Sequence, residues 1–389
     1  MTEERFSPAL LTGADPAEVD IPVGVLIPRL GLAGFYDDNL LRAENDEIET
    51  FGFAVAPGLT WQFGDAIRRF TADWLLEAGF HEDSSTDDYV DNRVRALFDY
   101  QPTDRFRADI RGEYKDSRDA RGTGRALGEL GPEGVQDEPD EWHAFGVEGN
   151  IGYGAPTARG RIELTGGHIT KEYDNNRAFT YRRDRDDTYG AGRFYWRVGG
   201  RTTLVLEGRV TDYSYDTPPI GQSSLDSVVW RALVGATWEA TGKTTGFAKV
   251  GYMDKNFDAS DRDDDDAVTW EVGVEWRPRE YSIFTLSTAR DYGETNGTGD
   301  AIRRDDVTLT WMHAWRERLT TTAELSYTAE TFDPTTRDDD VFYAGFRVDY
   351  AMRRWLTLGA SWRYDDRDSN VDPFDYTRNV FLITANITL

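Results

Sequence analysis

Basic and acidic side chains recur in this sequence at every second position, a spacing that sets them on one side of an extended chain. Arg105, Arg107, Asp109, Arg111, Glu113 and Lys115 form the clearest row, with Phe106, Ala108, Ile110, Gly112 and Tyr114 between them. Arg93, Arg95, Glu163, Arg193, Arg197, Glu207, Arg209, Arg231, Glu271, Glu275 and Arg363 occupy similar alternations elsewhere. Guanidinium groups bind carboxylates through paired hydrogen bonds, and opposite charges on neighbouring strands pair across a sheet. The chemistry on offer is ion pairing and polar binding spread over a large surface.

Other reactive constellations do not assemble. The four histidines, His81, His143, His168 and His313, stand at no metal-ligand spacing. His168 has the parity of an apolar strand face, where a lipid-facing Ser–His pair could act, but no sequence signature singles out a partner serine. The acidic run Asp261 to Asp266 lacks the glycine at position 6 and the glutamate at position 12 of a calcium loop, the latter being Val272. It reads as a solvated loop or as a loose divalent-ion bridge to lipopolysaccharide, and Asp184 to Asp187 and Asp365 to Asp368 read alike. No glycine-rich phosphate cradle follows a strand and opens a helix. No catalytic residue, metal site or cofactor is therefore expected, and the chain is not read as an enzyme.

The elements that carry the charged rows follow from composition. Aromatic residues make up 13 % of 389 residues and charged residues 30 %, with a mean hydropathy of −0.62. No run of about 18 apolar residues exists to form a membrane helix, whereas a barrel interleaves apolar and polar residues and looks soluble on average. The net charge of −27 argues against a nucleic-acid partner, which needs a basic stripe. The absence of cysteine excludes disulfides and thiolate metal sites. Met1 to Pro8 lacks a basic segment followed by an apolar one, so a signal peptide is expected to have been replaced by the initiator.

Residues 1–24, with Pro8, Pro16 and Pro22, read as a periplasmic arm, and 25–389 as alternating segments bounded by turn residues. Strands are predicted at 26–37, 48–63, 67–80, 89–100, 105–117, 141–154, 159–173, 186–198, 202–215, 226–239, 244–257, 266–277, 281–292, 303–315, 319–332, 340–351, 355–367 and 376–389. Connections after even strands are tight, such as Gly64-Asp65-Ala66 and Thr241-Gly242-Lys243; those after odd strands are longer and rich in Asp, Asn and Gly, including 118–140 and 333–339. This sorting predicts an all-β fold: a transmembrane, antiparallel up-and-down barrel of 16–18 strands, with short periplasmic turns and long extracellular loops in an outer membrane.

So many strands enclose a space on the order of 35 Å across, too wide for side chains to fill, so the apolar faces point into lipid and the charged rows into the lumen. Trp270 and Trp276, at opposite ends of one apolar stripe, and Trp61, Trp74, Trp196, Trp238, Trp311, Trp315 and Trp362 are expected in interfacial girdles, the alternative being ordinary buried tryptophans. The charged rows are either a mutually neutralised wall or a path for a polar or charged polymer, with Tyr195 or Tyr213 packing on sugar faces. The loop from Arg118 to Asp140, with Arg118, Arg121 and Arg125, is a candidate constriction if it folds inward and a simple external loop if it does not. The last segment, ending at Leu389, is expected to close the barrel on 26–37.

Phe35-Tyr36-Asp37-Asp38-Asn39, Phe51 to Leu59, Tyr89 to Asn92, Asp116 to Arg121 and Tyr376-Thr377-Arg378-Asn379 resemble the EpsL-like β-barrel porins encoded with exopolysaccharide and capsule clusters. The resemblance implies an outer-membrane channel for a secreted polysaccharide, embedded in lipid and lipopolysaccharide and working with a periplasmic export or copolymerase partner. A general or solute-selective diffusion porin is the alternative, with an adhesin or structural barrel behind it.

Overall fold

Period-2 alternation becomes closed sheet throughout. A computed structural model describes residues 19–122, 138–218, 221–295, 299–371 and 374–388. The strands are β1 Val25–Asp37, β2 Thr50–Gly64, β3 Arg68–His81, β4 Tyr89–Thr103, β5 Phe106–Asp119, β6 Asp140–Tyr153, β7 Gly160–Tyr173, β8 Arg185–Arg197, β9 Thr202–Tyr215, β10 Ser227–Thr241, β11 Thr244–Phe257, β12 Asp265–Arg279, β13 Ser282–Gly293, β14 Ala301–Arg316, β15 Leu319–Asp333, β16 Arg337–Arg353, β17 Leu356–Ser369 and β18 Tyr376–Thr388. Each pairs antiparallel with its sequence neighbours, and β18 pairs with β1 from Val380↔Asp37 to Thr388↔Arg29. Closure pairs every strand on both sides, except that the loop-side ends of β12 and β13 are not paired with each other. Val19–Asp20 pairs with Leu26 and Val25, covering the edge of β1 beyond its last β18 partner, so the end of the predicted arm folds back on the barrel. Leu389 lies outside the described residues.

The two rims differ as predicted. Strand pairs β2–β3 and β10–β11 are joined by 65–67 and 242–243, whereas 38–49 and 174–184 follow β1 and β7. At the first turn Gly64 has a φ of 121°, open to glycine, and Asp65 Oδ1 accepts from the amides of Ile67 and Arg68 at 2.8 Å. Three loop expectations change. Pairing extends β5 to Asp119, so Arg118 belongs to a strand rather than to the following loop. The predicted 333–339 loop contracts to 334–336 because β15 and β16 run on. Asp365 to Asp368 lie in β17, and Asp186 and Asp187 lie in β8, so these acids are strand residues rather than parts of solvated loops.

The parity of the strands is legible in their exposure. Val90, Ile110, Ile151, Leu206, Val234, Val250, Val268 and Ile383 are exposed, as lipid-facing residues must be once the bilayer is removed. Their neighbours Ala54, Ala56, Glu207, Leu233, Thr269 and Thr384 face inward and are buried. Trp74, Trp196, Trp230, Trp276, Trp315, Trp355 and Trp362 stand on the exposed side.

One corner departs from a simple cylinder. The β12–β13 ladder reaches only Glu271↔Ala289, although β12 continues along β11 to Lys255↔Asp265 and β13 along β14 to Gly293↔Ile302. Above that point Tyr292 and Ala301 pack with Met253 in a buried apolar cluster bordered by Val229 and Ala267. Met253, Val229 and Ala267 have lumenal parity, so the loop-side ends of β13 and β14 lie inside β10–β12. Arg303 Nη1, 3.7 Å from Asp265 Oδ2, belongs to the same overlap. The wall is two layers thick there.

Candidate functional site

The inward rows meet one another in ion pairs. Arg95 pairs with Glu113 at 3.0 Å and Arg111 with Glu148 at 3.1 Å. Arg107 and Arg161 share Glu163, which also accepts from the Tyr195 hydroxyl at 3.0 Å. Asp109 accepts from Asn150 at 2.8 Å. Further round, one chain of alternating charge crosses six strands. Arg193 contacts Glu207 at 3.3 Å, Glu207 contacts Lys249 at 2.7 Å, and Lys249 contacts Glu271. Glu271 contacts Arg231 at 3.1 Å, and Arg231 contacts Asp291 at 2.8 Å.

The remaining predicted residues are more dispersed. Arg363 pairs with Asp365 at 2.7 Å, and Arg209 lies over the Tyr189 ring at 5.2 Å. Arg197 bonds the Pro156 carbonyl, and Glu275 pairs with Arg277, both close to the short-turn rim. Arg93 is on the inward face of β4, opposite Leu75 and Lys115. His168, the outward histidine, bonds Thr188 at 2.8 Å and Thr170 at 3.3 Å.

Inner-wall tyrosines repeat one arrangement. Tyr89 donates to Glu77 at 2.7 Å and Tyr189 to Glu148 at 2.6 Å. Each ring lies across a glycine on the next strand: a Cβ added at Gly79 or Gly167 would stand 2.0 or 2.4 Å from ring atoms. Laid flat, the rings take little room from the lumen. Arg118 covers the Tyr89 ring at 3.2 Å and pairs with Asp91 at 2.7 Å, so it is held to the wall.

Arginines also tie the loops together. Arg121 donates to Asp87 at 3.0 Å and to Ser84 at 3.1 Å, joining the second and third long loops. Burial raises the Asp87 carboxyl, but the Arg121 and Ser84 hydrogen bonds outweigh it and hold the group below its usual range. Arg42, in the first long loop, donates to the Arg121 carbonyl at 3.0 Å; burial, with Arg378 nearby, lowers its guanidinium to about 10. Arg262 bonds the carbonyls of Ser223 and Ser224 and the Asp300 carboxylate. Arg183 crosses from the fourth loop to Asp119 at 2.9 Å and Asp140 at 3.4 Å on the inner wall. Arg125 and most of the predicted constriction loop lie outside the described residues.

Two sets of contacts go beyond the sequence reading. Glu294, just past β13, contacts Lys255 on β11 at 2.8 Å and the Tyr215 hydroxyl on β9 at 2.5 Å. Burial raises the Glu294 carboxyl, yet Lys255 and Arg185 together bring it below its ordinary range. As a loop residue Glu294 has no strand parity to betray it, whereas Lys255 and Lys249 share the inward parity of β11. The second set joins the two short motifs of the seam. Arg378 donates to Asp37 at 2.9 Å, Asp38 accepts from the Asn379 amide at 2.6 Å, and Asn39 bonds the Thr377 carbonyl at 2.9 Å. Tyr36 packs between Phe51 and Phe381, at 4.8 and 6.5 Å.

A closed eighteen-strand wall, apolar outside and ion-paired inside, is the architecture of an outer-membrane channel. Residues 20–389 match the family described as "Putative beta-barrel porin 2". The chain belongs to that family. No curated protein matches the chain. Among solved structures it is similar to OpdO of Pseudomonas aeruginosa, with 14 % identity over 94 % of this chain and 97 % of that one and a TM-score of 0.51. It is also similar to OccK2 (OpdF) of P. aeruginosa, with 12 % identity, 94 % and 98 % coverage and a TM-score of 0.50. A BenF-like porin of Pseudomonas fluorescens Pf-5 shows 11 % identity, 94 % and 99 % coverage and a TM-score of 0.50. At such identities the likeness is one of fold. Family and fold are those of a β-barrel porin, an outer-membrane channel.

Proposed function

We propose that this barrel is the outer-membrane channel through which a secreted polysaccharide, an exopolysaccharide or capsule, leaves the cell. The ion pairs make the inner wall a mutually neutralised one, and such a surface is also one along which a polar polymer can move. A polymer crosses only if each segment is bound weakly enough to move on, and the chain from Arg193 to Asp291 offers hydrogen bonds from both signs with little net field. The observation that carries the polysaccharide reading is the resemblance at Tyr36 to Asn39 and at Tyr376 to Asn379 to barrels encoded with polysaccharide clusters. A periplasmic export or copolymerase protein would then dock at the short-turn rim, where β18 ends, and the long-loop rim would face lipopolysaccharide.

Deleting the gene in its host and measuring secreted polysaccharide tests the proposal: secretion should fall and be restored by the full chain. Unchanged secretion would sink it. The fold likeness to porins keeps one second reading in view, a diffusion porin for small solutes, for which swelling of liposomes carrying the purified protein in sugars or amino acids would be the positive result.

A further inference from the structure

The overlapped corner brings a carboxylate to a place where the wall has built a receptor for one. Lys255 is fully buried, with its ammonium 2.8 Å from Glu294 Oε1 and 5.2 and 5.3 Å from the Tyr213 and Phe257 rings. Tyr215, also buried, donates its hydroxyl to Glu294 Oε2 at 2.5 Å. A cation and a phenol donor meet one carboxylate, with the positive charge of Arg185 nearby, and the two aromatic rings flank the ammonium. The receptor groups belong to β9 and β11 and are paired in the ladder, Tyr215 with Arg185 and Lys255 with Val229 and Asp265; the carboxylate lies just past the end of β13. Above Ala289, β13 has no backbone pairing with β12; it keeps its ladder with β14 as far as Gly293↔Ile302 and meets β10–β12 through side chains: Asp291 on Arg231, Glu294 on Lys255, and Tyr292 in the apolar cluster.

The two halves of this contact thus differ in how firmly they are anchored. Lys255 and Tyr215 are paired in the ladder, whereas Glu294 lies just past the last β13–β14 pair, Gly293↔Ile302, and can be exchanged without breaking a ladder hydrogen bond. Charge makes exchange the cheap route. An ammonium left alone in a buried site is costly, so withdrawal of Glu294 calls for another carboxylate in its place. The flanking rings suit the apolar face of a sugar ring.

We propose that Lys255 and Tyr215, flanked by Tyr213 and Phe257, form a carboxylate-binding subsite in the channel wall. Glu294 fills it as an internal ligand, and an acidic sugar residue of the uronate type displaces Glu294 during passage. This inference rests on the channel reading and narrows it to an anionic saccharide. The infolded corner is then an element that meets the passing chain.

The test measures sodium glucuronate binding to the full-length protein in detergent by calorimetry, with glucose as the neutral probe. A tethered competitor acts at an effective concentration in the mM range, so Glu294→Gln should tighten glucuronate binding about tenfold and leave glucose unaffected. Glu294→Ala, which also removes the amide, should do the same, and Lys255→Met in the Glu294→Gln background should abolish binding. Folding of each variant is checked by heat-dependent electrophoretic mobility. Glucuronate binding no tighter in folded Glu294→Gln and Glu294→Ala than in the parent would overturn the inference. Planar-bilayer conductance of the parent reads the channel proposal separately: a barrel that binds glucuronate as expected but passes no current retains the subsite and fails as a channel.

Discussion

Replacing Arg378 by methionine is the sharpest test of how this barrel closes. Asp37 is 1 % exposed and Arg378 9 %. The guanidinium Nε lies 2.9 and 3.0 Å from the two carboxylate oxygens, and Nη2 makes a further contact. Without Arg378, the buried carboxylate keeps the Asn39 amide at 3.1 Å among these bonds. Removing one partner of a buried pair costs about 3–5 kcal/mol, chiefly because the other charge stays behind, whereas apolar replacement of both can be neutral. Arg378→Met should therefore lose about 3–5 kcal/mol, and Asp37→Leu combined with Arg378→Met distinctly less than either single change. Reversible urea unfolding from lipid vesicles, followed by tryptophan fluorescence, gives the free energies. The exposed Arg277–Glu275 pair supplies a control, since Arg277→Ala should leave the unfolding midpoint where it is. A loss below about 1 kcal/mol for Arg378→Met, or a double variant as unstable as the worse single one, would refute the account of the seam.

Two further outcomes are expected. Val250, mid-strand and lipid-facing, should cost about 2–4 kcal/mol when changed to arginine, while Trp276→Arg near the rim should cost about 0–1 kcal/mol; equal costs in the same unfolding assay would argue against a bilayer-spanning belt. The Asp87–Arg121 tether has a pH signature with a definite sign. Because the folded state depresses the Asp87 carboxyl, the tether contributes fully above the ordinary carboxylate range and is lost as pH falls through the depressed value. Protection factors from hydrogen exchange at 82–88, referred to the intrinsic rate at each pH, should stay high from neutral to mildly acidic pH and fall in strong acid. Protection at neutral pH that survives Arg121→Ala would show the tether to be dispensable.

The seam also gives the short motifs a physical meaning. Tyr36 to Asn39 and Tyr376 to Asn379 are far apart in the chain, as the Asp37–Arg378 separation of 341 residues records. They face each other because an even number of strands brings the last back to the first. Paired, they satisfy the polar groups where the wall closes and the first long loop begins. Their place is explained by closure, without any contact to a transported molecule.

The wall itself was legible in the sequence because a period of two has only two phases, and in this chain one phase is charged and the other apolar. Rows such as Arg105 to Lys115 state the lumen; intervening residues such as Ile110 and Tyr114 state the lipid. Turn residues mark the strand ends to within a few positions, since glycine and Asx turns are local. Pairing partners are not local. Strand parity puts Glu207 and Lys249 inside, but only the registers of β9, β10 and β11 bring them together. Least legible was the infolded corner. Residues 281–315 alternate like any other hairpin, and nothing in that pattern says that β13 leaves β12 above Ala289. That departure depends on Tyr292 and Ala301 finding Met253, and on Glu294 finding Lys255 and Tyr215. Alternation and turn residues were enough to specify a barrel and the wet face of each strand, because both act within a few residues. Which charges meet, and where the wall turns inward, came only with the folded chain, because those contacts join residues far apart in sequence.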